Sequence, residues 1–406
     1  MRVLGIICEY NPLHNGHAYQ MRQGMERSGA DAVVCVMSGH YTQRGEPAIT
    51  DKWTRARMAL SAGADLVIEI PTLYAMSGAE SFARAGVKLL LEAGADILSF
   101  GSEAGEEPEL RALADLFHRE PEEYRRNLRA GLDAGESYSV SRMKAAEAYV
   151  PGAEEILRQS GSILGIEYLK ALVRAGRADF PTVMVKRRGA GHRDEESLGP
   201  YASARGIRKA FRQGKMLDEA MPAEAAEIWR EAVAKGNYSA RGDLWKEMLY
   251  WRLTELGPHR LSKTPEVGEG LEYRILKAAE EDLTWDELVS RILSKRYPAS
   301  RIRRGLMNLC LGITEESRAR AHWEEGPGYL RVLAIGPRGG ELLRGIRRES
   351  GLPILTRPAR QLAELTEGAA YMFREETRLT DVYARFLANP KLRRRGLEYK
   401  NEIAKN

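Results

Sequence analysis

Residues 62–70, Ala62-Gly63-Ala64-Asp65-Leu66-Val67-Ile68-Glu69-Ile70, are the middle of three related passages. Ser28-Gly29-Ala30-Asp31 runs into Ala32-Val33-Val34-Cys35-Val36-Met37, and Ala93-Gly94-Ala95-Asp96 runs into Ile97-Leu98-Ser99-Phe100. Each time a helical pattern ends at a glycine, which suits the left-handed position that closes a helix. A continuous apolar run follows, as expected of a strand buried on both faces of a parallel sheet. The glycines stand 34 and then 31 residues apart, about the length of one strand–helix unit. With an opening strand over Val3–Cys8, this rhythm predicts an α/β fold. It has at least four parallel strands joined by right-handed helical crossovers, a doubly wound, Rossmann-like domain. Only the turn and the strand recur, so the period does not describe a solenoid.

Beyond these passages, residues 107–175 read as helical and end in Ile163–Ala175. A strand over Pro181–Arg187 precedes Gly189-Ala190-Gly191. Helices then dominate: Ser203–Gln213, Ala223–Lys235, Arg241–Leu256, Gly270–Ala279, Thr284–Arg291 and Ser300–Cys310. A β-like piece, Tyr329–Ile335, and Pro353-Ile354-Leu355-Thr356 follow. The main boundary is expected near residue 205. It divides an α/β domain (1–205) from a mainly helical region (206–406) with a small β element near 329–356.

At 406 residues the chain is too long for one ordinary core. Its net charge of +5 is mildly basic and matters only where it clusters. Cys8, Cys35 and Cys310 lack CxxC spacing and read as small buried hydrophobes in a reducing compartment. The first residues do not make a signal peptide, and no run approaches the ~20 apolar residues of a membrane span. A cytoplasmic protein with no membrane association is expected.

Cys8-Glu9-Tyr10-Asn11-Pro12-Leu13-His14-Asn15-Gly16-His17 leaves the first strand and opens a helix. Ligands of open parallel sheets bind at the carboxyl ends of strands, so a nucleotide is expected at this turn. His14 and His17 can project from one helical turn, and Gly16 lets a base or phosphate approach. Free N–H groups at the helix start favour phosphate, and imidazoles can stabilise charge developing on phosphate during in-line displacement. A helix cap with a packed histidine is the bland alternative, and a zinc pair needs further ligands; the position after strand one favours the nucleotide.

The surrounding words go further. Gly5–His17, Gln43-Arg44-Gly45-Glu46-Pro47-Ala48, Asp65–Pro71, Phe100-Gly101-Ser102-Glu103, Ile163–Leu172, Lys186–Gly191 and Ala202-Ser203-Ala204 with Ile207-Arg208 occur in order. Together they resemble the bacterial tRNA(Met) cytidine acetate ligase family of the HxGH nucleotidyltransferase superfamily. The match spans residues 1 to about 210 and continues weakly through Ser294-Lys295-Arg296-Tyr297. The resemblance implies an ATP-dependent ligase with ATP as co-substrate. It would activate acetate as acetyl-adenylate and acetylate N4 of the wobble cytidine of elongator tRNA(Met). ATP contacts would come from the Ile7–Gln20 loop (Ile7, Glu9, Tyr10, Asn11, Gly16, His17, Gln20), from Gly101 and from Arg187. The family has an asparagine where this chain has Gly161-Ser162, so Ser162 is the substitute hydroxyl. His192-Arg193-Asp194 and His40 are further departures.

On physical grounds Arg44, Lys52, Arg55 and Arg187 could neutralise a triphosphate, with Lys52 and Arg187 preferred because the resemblance falls on them. The catalytic set is therefore His14, His17 and Lys52. No protein metal site is expected, and magnesium is left open. Glu69 inside an apolar strand either lines the site or pairs with a buried base. Three basic tracts point to RNA phosphates: Arg205–Arg212 (Arg205, Arg208, Lys209), Arg291–Arg304 (Lys295, Arg296, Arg301, Arg303, Arg304, with Tyr297 for stacking) and Lys391–Arg395. A small-molecule adenylyltransferase leaves the helical half unexplained, and a non-catalytic RNA-binding protein leaves the intact HNGH loop unexplained.

Overall fold

The computed structural model describes residues 1–186 and 199–405. Five strands, β1 (Val3–Cys8), β2 (Ala32–Ser38), β3 (Leu66–Ile70), β4 (Ile97–Ser102) and β5 (Thr182–Lys186), form a parallel sheet in the order β3-β2-β1-β4-β5. Strand order reverses between β1 and β4, which is where a doubly wound sheet opens its ligand crevice. All seven residues of β2 are buried. Val33, Cys35 and Met37 face one core and Val34 and Val36 the other, as a strand covered on both sides requires.

The recurring Gly-Ala-Asp word has a physical role at each turn. Gly29 closes α1 (Asn15–Ser28) at φ 61°, with its N–H on Met25 O. The aspartate two residues later clips a strand start. Asp31 accepts from Arg2 N (2.7 Å), Asp65 from Val33 N (3.0 Å) and Asp96 from Val3 N (2.8 Å). Each carboxylate thereby satisfies a backbone N–H in a strand or just before one.

The helices of the second half lie within one residue of their expected limits, for example Ala223–Ala234, Gly242–Glu255 and Ala299–Leu311. The β element near 329–356 belongs to the main sheet. β6 (Leu330–Ile335) joins the main sheet antiparallel to β3, β7 (Ile354–Leu355) lies beyond it, and β8 (Ala404–Lys405) also pairs with β6. The division at residue 205 therefore separates two stretches of chain that share one sheet. An unpaired β3 edge would expose a row of backbone donors and acceptors, and β6, buried along most of its length, covers it. Among the described residues no helix is long and apolar enough to cross a membrane. Cys8, Cys35 and Cys310 are buried free thiols.

Candidate active site

The turn after β1 is held in place from behind. Arg55, fully buried in α2 (Lys52–Ser61), donates to Glu9 O (2.6 Å) and Ser38 O (3.1 Å) and also bonds Gly39 O. It clamps two strand ends and is not among the residues that line the cavity described below. Tyr10 sits at φ 44°, a region costly for a side chain of its size, with its hydroxyl 3.6 Å from Cys35 Sγ. Asn11 is buried and accepts from Ile49 N through its side chain (2.7 Å). Its carbonyl takes Arg208 Nη1 at 2.8 Å.

α1 begins at His14. Its Nδ1 accepts from Gly16 N (3.1 Å), and His17 Nδ1 accepts from His14 N (3.3 Å), a reciprocal cap in which both partners are imidazoles. A ring nitrogen that accepts carries no proton, so both neutral rings keep theirs on Nε2 and present it as a donor. The rings stack at 3.7 Å between centroids, and Tyr10 leans on His17 at 4.9 Å. A Cβ at residue 16 would lie 2.9 Å from His14 Cε1, so Gly16 makes room for the imidazole; it is not among the cavity-lining residues. Asn15 fixes the helix start from outside, donating to Pro200 O and Glu219 O at 2.8 Å each.

His14 and His17 line a cavity of about 370 Å³ at the β1/β4 crevice. Of the other expected contacts, Ile7, Glu9, Tyr10, Asn11, Gln20 and Gly101 line it too. Arg205 and Arg208, read from sequence as RNA contacts, are also in its wall. Further residues complete it, among them Arg44, one of the cations expected to neutralise a triphosphate. Gln43 and Arg44 come from the loop after β2, and Phe82, Phe100, Leu164 and Tyr168 form an apolar side suited to a base. Phe82 comes from the helix Ala79–Glu92, Phe100 from β4, and Leu164 and Tyr168 from the helix Ser160–Arg174, and the family words cover all of these but Phe82. Among the described lining residues Glu9 is the sole carboxylate. Burial pushes it above its usual range, against the pull of the Gln43 N–H, Arg44 and Arg208. Cys8 is likewise pushed well up, by burial and then by Cys35, so its thiol stays protonated and is a poor metal ligand or nucleophile.

Three expectations need correction. Lys52 does not line the cavity. Its ammonium is fully buried, with Glu69 at 2.5 Å, Glu376 at 3.7 Å and Glu398 in direct contact. The choice left open for Glu69 resolves as pairing with a buried base. His40, Glu376 and Glu398 are close enough to hold a cation, and Lys52 supplies that charge. Ser162 turns away from the cavity. Its hydroxyl bonds Ser102 Oγ (2.8 Å) and Ala104 N (3.2 Å), while Gly161 takes the lining position. A Cβ at 161 would meet the Glu103 carboxylate at 2.3 Å. Arg187 and residues 189–194 lie outside the described residues.

The third correction concerns the 291–304 tract, which is acid-free only along the sequence. Arg301 pairs with Glu269 (3.1 Å), Arg303 with Asp286 (2.8 Å) and Arg304 with Glu266 (3.0 Å). Arg304 is itself buried and also donates to Gln43 O at 3.4 Å, bracing the cavity loop. Tyr297 is buried with its hydroxyl on Glu269 O, so its ring is not offered to a base. Lys295, Arg296, Arg205 and Lys209 are exposed.

The family model described as HIGH Nucleotidyl Transferase matches residues 1–398. A protein of Acetivibrio thermocellus described as tRNA(Met) cytidine acetate ligase is 38% identical over 417 residues, covering 99% of each chain. One of the same description from Thermoanaerobacter pseudethanolicus is 38% identical over 410 residues, covering 100% of both. Among solved structures, Thermotoga maritima TmcAL in its apo form superposes with a TM-score of 0.92 at 29% identity, covering 100% of this chain and 99% of the other. The same protein bound with alpha-thio ATP gives 0.90 at 28% identity, with the same coverage.

Proposed function

Because this chain belongs to the tRNA(Met) cytidine acetate ligase family of HIGH nucleotidyl transferases, we propose that its β1/β4 cavity uses ATP to make acetyl-adenylate and then acetylates a tRNA cytidine. The observation that carries this reading is the pair of stacked imidazoles whose Nδ1 atoms are both held by helix-start N–H groups. Both rings line a cavity at the sheet's switch point. An acetate oxygen attacks the α-phosphorus in line, pyrophosphate leaves, and His14 and His17 stabilise the charge that builds on the phosphate oxygens. Arg44 and Arg208 add fixed positive charge to the wall. The N4 amine of the wobble cytidine of elongator tRNA(Met) then attacks the acetyl carbonyl, and AMP departs with the electron pair of the broken C–O bond.

Magnesium is the finer part of this reading. Glu9 is a hard oxygen ligand in the right wall, and a magnesium riding on the triphosphate would be held there and neutralise the leaving pyrophosphate. Arg205, Lys209, Lys295 and Arg296 of the predicted basic set are exposed at the surface, where RNA phosphates would meet them. Residues 206–406 would seat the tRNA, in a reducing cytoplasm that suits the free thiols.

Acetate-dependent ATP–pyrophosphate exchange, followed by transfer of labelled acetate to tRNA, tests both half-reactions. His17→Ala should lower exchange by about 10²-fold or more, the usual effect of losing a charge-stabilising donor. Exchange at the unmodified rate in that variant removes the histidine from the chemistry.

A further inference from the structure

A second cavity, of about 360 Å³, shares no lining residue with the first. It lies along the helix Glu367–Ala384 and its C-cap Arg385, where Arg374, Arg378, Asp381 and Arg385 fall at i, i+4, i+7 and i+11, one continuous face. Arg395 reaches in from the basic tail. Four guanidiniums thus face one carboxylate, and two of the four build the walls. Arg378 holds Glu375 (2.7 Å) and donates to Leu311 O (2.8 Å). Arg395 meets one oxygen of Asp381 at 3.7 Å, while the other oxygen accepts from Gly396 N at 2.7 Å, docking the tail on the helix. Arg374 and Arg385 are exposed, and their side chains have no acceptor among the described residues. Lys391 and Arg394 extend the same basic ground at the surface.

The helix Ala299–Leu311 ties this cleft to the nucleotide cavity. Ser300 lines that cavity and Arg304 braces its loop, whereas Leu311 at the other end accepts from Arg378. Ser300 and Leu311 stand eleven residues apart, about 17 Å along the helix axis at 1.5 Å per residue. At about 3.4 Å of rise per stacked nucleotide, that is some five nucleotides. A nucleic acid that delivers one base to the cavity carries a phosphate row at this distance; a free phosphate would fill only one end of the cleft.

We propose that the Arg374–Arg378–Arg385–Arg395 cleft binds the sugar–phosphate backbone of the tRNA about five nucleotides from the base entering the active cavity. The proposal rests on the tRNA reading above and adds a place and a register to it. Arg374 and Arg385 are the phosphate contacts, and Arg378 and Arg395 shape the cleft and position the tail.

The test is Arg374→Gln with Arg385→Gln in the full chain, against Arg125→Gln with Arg126→Gln as a charge-matched control on the exposed helix Glu122–Asp133. Two lost contacts should flatten the salt dependence of tRNA(Met) binding by about 1.5 in log–log slope. They should weaken binding at 0.1 M salt by about 25- to 60-fold. The control should be unchanged, and acetate-dependent pyrophosphate exchange should persist in both. Binding unaltered in the cleft variant, or lowered equally in the control, overturns the proposal. Absence of exchange in the unmodified protein overturns the ligase reading instead. In the unmodified protein, tRNA should protect Arg374 and Arg385 from phenylglyoxal; equal modification with and without tRNA also overturns it.

Discussion

Replacing Lys52 with methionine separates its two candidate roles, because volume is nearly kept while the charge is lost. In the fold Lys52 is fully buried against Glu69, Glu376 and Glu398, with Arg331 as a second cation on Glu398 at 3.6 Å. Removing one partner from a buried ionic cluster costs about 3–5 kcal/mol. At an unfolding entropy of about 2.1 cal/mol/K per residue, a chain of 406 residues loses about 4–6 °C in Tm. The loss should depend on pH. Burial raises Glu398, but Lys52 and Arg331 outweigh it and hold the carboxyl below its ordinary range. Its contribution is therefore present above about pH 4.3 and lost as pH falls through the folded value. Burial lowers Lys52, yet the three carboxylates leave it raised, so its contribution is complete below about pH 10.4. Without the ammonium the carboxylates take up protons, and the Tm deficit at pH 7.5 should shrink toward pH 5. Melting curves at both pH values, with KM for ATP in pyrophosphate exchange at 25 °C, decide the matter. An unshifted Tm with a tenfold rise in KM would refute the buried-cluster reasoning and return Lys52 to the triphosphate.

Tyr297→Ala should lower Tm through loss of a packed ring worth about 3–5 kcal/mol, with the salt slope of tRNA binding intact. A changed slope and normal Tm would mean the ring stacks on RNA after all. Ser162→Ala, which removes the bond to Ser102 Oγ, should cost about 1–2 kcal/mol by urea titration and leave KM for ATP alone. His40 is held well below its ordinary pKa by burial and then by Lys52 and Arg55. The unfolded chain therefore binds a proton that the fold refuses, and stability should fall as pH drops below about 6.5. His40→Asn should flatten that part of a urea-midpoint profile, and an unchanged slope there would clear His40 of the effect.

The parallel strands and the HNGH turn were legible because they are local. One apolar run, one closing glycine and one aspartate suffice for each strand, and one short word places two imidazoles on a helix start. What failed to read was pairing over long separations. The basic tract 291–304 has no acid in sequence, yet Glu46, Glu266, Glu269 and Asp286 reach it from other elements. Lys52 falls where a phosphate ligand would be expected, but Glu376 and Glu398, more than 300 residues onward, decide its role. The family words place Ser162 at a nucleotide position, and only the Ser102 side chain and the Ala104 backbone show that its hydroxyl turns the other way.

The shared sheet sets an order of events during synthesis. β3 ends at Ile70, and its antiparallel neighbour β6 begins at Leu330, about 260 residues later. At a translation rate of about 5–20 residues per second, β3 waits about 13 to 52 seconds for that partner. Throughout that interval the nascent chain carries an open strand edge, a template for mispairing with other chains. Holding factors at the ribosome exit have most to protect in this window, and slow synthesis should favour aggregation over yield.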